Sequence, residues 1–165
     1  MAATDLVFSR LLIALVVFEY FADGQMWNYQ QAKKEYQKTA KVPDGWSRAQ
    51  MDRGFITTGL WAFSRHPNFA AEQAIWILLY QWSCVETRSY WNWTFVGVLN
   101  YVMVFQGSTP ITEWISGSKY PEYRLYQERV GKFIPSLTGS YWDEEEMKVL
   151  GPKAAAAAKK QSKSS

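Results

Sequence analysis

The chain has 165 residues, enough for one domain, and 17% of them are aromatic, with nine Trp, ten Tyr and nine Phe. The formal charge of +3 comes from the tail: Lys153, Lys159, Lys160 and Lys163 lie in an acid-free stretch from Gly151 onward, and the other 14 basic residues stand against 15 acids. A near-neutral body offers no basic face to nucleic acid, and one cysteine with one histidine excludes an intrachain disulfide and a His/Cys zinc centre.

Three apolar segments follow in chain order: 6–22, interrupted by Arg10 and Glu19; 69–85, with Glu72 and Gln73 near its start; and 90–105, free of formal charge. At 16 or 17 residues each is short for a bilayer-crossing helix, which needs about 20. Each alone also fits a buried helix of a soluble protein. Together, flanked by Trp and Tyr whose rings suit the membrane–water interface, they predict a membrane protein. The mean hydropathy of −0.27 averages these segments with long polar stretches. Arg10 before an apolar run has the order of a secretory signal, but bulky Glu19-Tyr20-Phe21 follows instead of a small-residue cleavage site.

Between the first two segments, 25–65 carries seven Lys or Arg, whereas the turn 86–89 carries only Arg88, which puts 25–65 and the chain beyond Gln106 on the cytoplasmic side. Residues 27–40 read as a helix continuing the first segment, ended by the turn residues Val42-Pro43-Asp44-Gly45. Gly107-Ser108-Thr109-Pro110 predicts a helix break, a short helix over 111–115 follows, and 120–127 reads as an aromatic surface helix. The Ala/Lys/Ser tail 151–165 reads as disordered, leaving one domain over 1–150. The fold expected is therefore all-α: a polytopic membrane protein with about three short transmembrane helices and further helices on the cytoplasmic face.

Arg65-His66-Pro67-Asn68, with Glu72 one turn on, sits at the mouth of the second segment. Pro67 suits the first turn of a helix, and a helix starting there presents free N–H groups to an anion. Arg65 supplies a fork of donors suited to phosphate, and Asn68 can both donate and accept. Glu72 either accepts from a ribose hydroxyl or pairs with Arg65 and caps the helix.

Those residues, with Gly59 and Trp61 upstream, resemble the C-terminal domain of the steroid 5α-reductase-like superfamily, in particular its DUF1295 branch of membrane proteins. Ala22-Asp23-Gly24-Gln25 with Asn28, Gly54-Phe55, Thr109-Pro110 with Glu113, Tyr120-Pro121-x-Tyr123-x-x-Tyr126 and Phe133-Ile134-Pro135 resemble further elements in order. The resemblance implies a helical membrane domain of the endoplasmic reticulum with a nucleotide pocket facing the cytoplasm. It implies NADPH, used to reduce a carbon–carbon double bond in a steroid or other lipid substrate. Carried over by motif, Asp23, Gln25, Asn28, Arg65, His66, Asn68, Glu72, Glu113 and Tyr123 would line or support that pocket, and no catalytic residue is assigned. The Arg-His-Pro motif also resembles isoprenylcysteine-type methyltransferases, which use S-adenosylmethionine, so that cofactor stays open.

Two departures stand out. Phe69-Ala70-Ala71 replaces the family's Tyr-Phe-Gly before Glu72. Full-length members also carry further spans before the equivalent of Leu6, so a missing N-terminal segment or a partner chain would complete the site. A truncated, non-catalytic membrane protein is the third reading.

Overall fold

The structure, a computed structural model, describes residues 3–135 and 141–145; the tail from 151 onward lies outside the described residues. The chain is all-helical. In order come α1 (Ala3–Thr39), α2 (Arg48–Arg53), a single 3-10 turn (Gly59–Ala62), α3 (Pro67–Thr87), α4 (Phe95–Lys119) and α5 (Tyr123–Arg129). Among the described residues there is no strand, only one isolated parallel bridge between Ser64 and Gly131.

α1 is one helix of 37 residues, as the reading of 27–40 as a continuation of the first segment predicts. Asp5 in its first turn and Lys38 in its last complement the helix dipole. α2 is fixed by a capping box in which Ser47 and Gln50 each bond the other's backbone N–H, and Gly54 closes it in a left-handed conformation. α3 begins with Pro67 in its first turn, where the missing N–H costs nothing.

α4 corrects one expectation. The helix runs through Pro110 instead of breaking at 107–110, so no separate helix begins at Ile111. Hydroxyls flanking the proline reinforce the ladder: Thr109 Oγ1 donates to the Phe105 carbonyl at 2.5 Å, and Thr112 Oγ1 donates to that of Ser108 at 3.1 Å. Thr109 is fully buried, so tertiary packing holds the turn as well. α5 corrects another: its Tyr123 and Tyr126 are core residues, so 120–127 is not a surface helix.

α1, α3 and α4 pack antiparallel. Phe8 stacks on Trp82 with centroids 5.8 Å apart, and Trp82 Nε1 donates to Asp5, which joins the start of α1 to the end of α3. Asn68 Nδ2 donates to Asp23 at 2.9 Å, which joins the start of α3 to the middle of α1. Trp76–Tyr101 and Phe69–Phe105 ring contacts close α3 on α4.

The two compact cores lie away from these apolar stretches, on either side of the 53–61 segment. One holds Tyr29, Ala32, Met51, Ile56 and Trp61; the other holds Phe55, Tyr123, Tyr126, Val130 and Trp142. Arg53 ties the second to the 141–145 segment, bonding Glu144 twice at 2.7 and 2.9 Å while its guanidinium stacks 4.8 Å from the Trp142 ring.

Among the described residues no helix is long and apolar enough to cross a membrane, so the three predicted spans are not carried by the helices' own hydropathy. Many large apolar side chains of these helices nonetheless point outward. Ile13, Val16, Val17 and Phe21 on α1, Trp76 and Ile77 on α3, and Leu99, Met103 and Val104 on α4 are all exposed.

Gly59 sits at φ +62°, and a Cβ there would lie 2.5 Å from the Gln25 side-chain oxygen that accepts the Leu60 N–H. Gly59→Ala therefore meets both a left-handed backbone and a displaced hydrogen bond, and thermal or denaturant unfolding should show a loss of about 1–3 kcal/mol. An unchanged midpoint would contradict this account of the turn.

Candidate functional site

The 63–66 segment is strapped to the chain after α5. Arg65 N donates to the Gly131 carbonyl at 2.9 Å and His66 N to that of Lys132 at 3.0 Å, while Ser64 Oγ donates to Phe133 O at 2.9 Å. This pairing aims the Arg65 and His66 side chains at Glu113 of α4. Arg65 Nε lies 2.7 Å and Nη2 3.2 Å from the two Glu113 oxygens, and Gln127 Nε2 donates to Glu113 at 3.0 Å. His66 Nε2 is 2.9 Å from Glu113 Oε1; a carboxylate can only accept, so this nitrogen carries the proton. The remaining Arg65 Nη1 bonds the Gln127 and Val130 carbonyls.

Four of the five N–H donors of Arg65 are thus engaged inside the fold. Its side chain and that of Glu113 are 11% and 10% exposed. Arg65 lines the cavity as part of a buried clamp, and its carboxylate partner is Glu113, not Glu72. Burial alone would raise the Glu113 pKa, but hydrogen bonds from His66, Arg65 and Gln127 outweigh it and bring the carboxyl from the ordinary 4.5 to about 2.

Above the clamp opens a cavity of about 370 Å³, walled by α1, the 54–56 segment, the first turn of α3, the end of α4, and Tyr120, Tyr123 and Tyr126. Its size is within the range of small-ligand pockets, roughly 300–1,000 Å³. Arg65, His66, Asn68 and Tyr123 line it, and Glu113 stands behind them. Tyr123 presents a ring embedded beside Phe55, and burial pushes its phenol up to about 12, so it stays protonated. Asp23 meets the site only through Asn68.

Besides Asp23 and Glu113, three expected residues do not line the cavity. Gln25 holds the Leu60 N–H at 2.9 Å beneath the Gly59 turn. Asn28 is exposed on α1 in an outer groove with Tyr20, Phe21 and Trp27. Glu72 accepts from Trp76 Nε1 at 3.0 Å and from the Tyr101 hydroxyl at 2.5 Å, one turn away from the cavity. Conversely, sequence reasoning missed Lys33, Lys119 and Tyr120, all on the cavity wall. Lys33 stands among the lysines of 27–40 with no motif around it; only the long-range approach of Tyr120, 87 positions on, makes it part of a site.

The most telling atom is Asn68 Oδ1, a buried acceptor with no hydrogen-bond partner among the described residues. Asn68 Nδ2 is fixed by Asp23, so the oxygen cannot be satisfied by turning the amide over. Asn68 lines the cavity, and an orphaned buried acceptor there calls for a donor, from a ligand or from water.

The clamp makes a pH-dependent prediction. The folded pKa of Glu113 is depressed, so its stabilisation is complete above 4.5 and is lost as pH falls through about 2. Glu113→Gln should cost about 3 kcal/mol at neutral pH by leaving the Arg65 charge unbalanced. Its deficit relative to the unaltered chain should shrink between pH 4.5 and 2, as followed by unfolding at each pH. A deficit that does not change with pH would refute the clamp.

Comparison with known proteins gives a family but no described activity. The family described as a protein of unknown function, DUF1295, matches residues 1–130. An uncharacterized protein of Schizosaccharomyces pombe is 44% identical over 143 residues, covering 86% of this chain, and the chain spans 42% of that relative's length. No solved structure matches the chain. The match runs across α1 to α5 and so takes in the clamp and the cavity walls; on this footing the chain belongs to the DUF1295 family.

Proposed function

We propose that the cavity holds part of a nucleotide cofactor, NADPH, in a membrane oxidoreductase that reduces a carbon–carbon double bond in a steroid or other lipid. The observation that carries the reading is the unpartnered Asn68 oxygen. A nicotinamide carboxamide or an adenine amine has the N–H that this acceptor lacks. The walls fit the rest of such a molecule: aromatic and apolar surface from Phe55, Trp61 and Phe69, with polar groups converging from His66, Lys33 and Tyr120.

S-adenosylmethionine fits less well. Its sulfonium and amino groups are cationic, and among the described residues no Asp or Glu lines the cavity, whereas Lys33 and Lys119 do. A carboxylate-free, lysine-bearing wall favours an anionic ligand. When bound, NADPH supplies a hydride from its nicotinamide ring. This chain's residues would hold and orient it: Asn68 fixes an amide or amine, Tyr123 and Phe55 pack its flat faces, and the Arg65–Glu113 clamp keeps the wall rigid.

The proposed setting is a membrane, that of the endoplasmic reticulum, with the cavity toward the cytoplasm. It is supported by the outward apolar side chains of α1, α3 and α4 and by the basic bias of 25–65. Tyr90, Trp91 and Trp93, each at least 80% exposed on the loop between α3 and α4, suit the opposite interface.

Detergent-purified protein should bind NADPH saturably and S-adenosylmethionine not at all, read by calorimetry. Asn68→Ala should weaken NADPH binding about tenfold, the loss of roughly one buried hydrogen bond. Binding of S-adenosylmethionine alone would replace this reading with the methyltransferase; binding of neither would defeat both.

A further inference from the structure

Arg65 uses four of its five N–H donors on Glu113 and on backbone carbonyls, and two other cations stand on the cavity wall. Lys33 Nζ donates to the Gly54 carbonyl at 2.5 Å and to the Tyr120 hydroxyl at 2.7 Å. Both partners are neutral, and one of the three ammonium protons is left over. Lys119 Nζ lies 5.4 Å from the centroid of the same Tyr120 ring. Among the described residues neither lysine has a carboxylate partner, and no carboxylate lines the cavity.

Two like charges gathered around one phenol repel each other and gain nothing from the fold's own acids. The arrangement is held in place all the same. Gly54, at φ +84°, lies so close to Tyr120 that a Cβ there would be 2.3 Å from the ring, so a bare backbone is what lets Tyr120 sit between the lysines. Because Lys33 donates to the Tyr120 oxygen, the tyrosine's own proton is free to point elsewhere. Burial would raise the Tyr120 pKa, and the Lys33 bond and charge bring it below the usual phenol value, which makes it a stronger donor.

We infer that Lys33, Tyr120 and Lys119 form the seat of a phosphoryl group of the bound nucleotide. This rests on the reading of the cavity as a nucleotide pocket, and it moves the anion contact from Arg65 to α1 and the end of α4. Two ammonium groups balance the charge of about −2 on a phosphate monoester or a pyrophosphate, and the phenol adds a third donor. Nothing in Arg65 is needed, which leaves the clamp intact when the ligand leaves.

The test uses the full chain in detergent, titrated with NADPH and with NADH and followed by nicotinamide fluorescence. Lys33→Met and Lys119→Met should each weaken NADPH binding about ten- to a hundredfold, the loss of one charge-assisted hydrogen bond. If NADH binding is unchanged in both variants, the seat holds the 2′-phosphate; if NADH weakens in parallel, it holds the pyrophosphate. Both results support the seat. Lys119 is exposed and among the described residues bonds no backbone group, so Lys119→Met stays informative even if Lys33→Met, which also loses the Gly54 bond, fails to fold. Unchanged affinity for both nucleotides in Lys119→Met, with Asn68→Ala still impaired, would overturn the seat while leaving the pocket. Absence of any NADPH binding by the unaltered chain would instead remove the pocket itself.

Discussion

The Arg65–Glu113 pair is the interaction on which the rest of the structure turns. It joins three separate parts of the chain: the strap before α3, the buried face of α4, and the backbone at the end of α5. A buried ion pair is a poor source of net stability, because desolvating both charges offsets much of their attraction. Its effect is geometric. With both Glu113 oxygens held by Arg65, His66 and Gln127, the start of α3 has one permitted position relative to α4 and α5. Removing either partner leaves a charge in a site that water barely reaches.

That fixed position creates the cavity. α3 enters it through Asn68 and Phe69, α1 supplies Lys33, and the turn into α5 brings Tyr120 and Tyr123. The two aromatic cores beside it give the walls their stiffness. Trp61 links them, since its Nε1 donates to the Ala22 carbonyl at 3.1 Å and its own carbonyl accepts the Tyr126 hydroxyl. The polarity of the molecule is inverted along its length. The functional end is packed like a soluble core, while the apolar stretches of α1, α3 and α4 turn large side chains outward.

Much of this was legible in the sequence, and the parts that were not share a cause. Pro67 announced the start of α3, and the polar face of 27–40 announced that α1 continues, because both are local backbone effects. The Arg-His-Pro-Asn cluster and Glu113 were singled out, but the fork of Arg65 suits a carboxylate as well as a phosphate. Only the fold shows that Glu113, 48 positions away, already fills it. Glu72 looked like a partner for Arg65 because the two are close in sequence; α3 instead carries it toward Tyr101. Pro110 looked like a break, yet the Thr109 and Thr112 hydroxyls on either side of it bond carbonyls one turn back. Lys33 carried no local signal, and Tyr120 was visible only as part of a motif, since neither belongs to a site until α1 and the end of α4 meet.

The account's central claim is one of location: that a nucleotide lies in the cavity above the clamp and not in the outer groove of α1 around Asn28. Photo-crosslinking of the detergent-purified chain with an azido derivative of NADP, followed by peptide mapping, tests this directly. The account predicts labels on the cavity wall, in the peptides bearing Thr112, Ser116 or Tyr120, suppressed by excess NADPH. Labelling confined to Tyr20, Trp27 and Asn28 would place the nucleotide in the outer groove and contradict it.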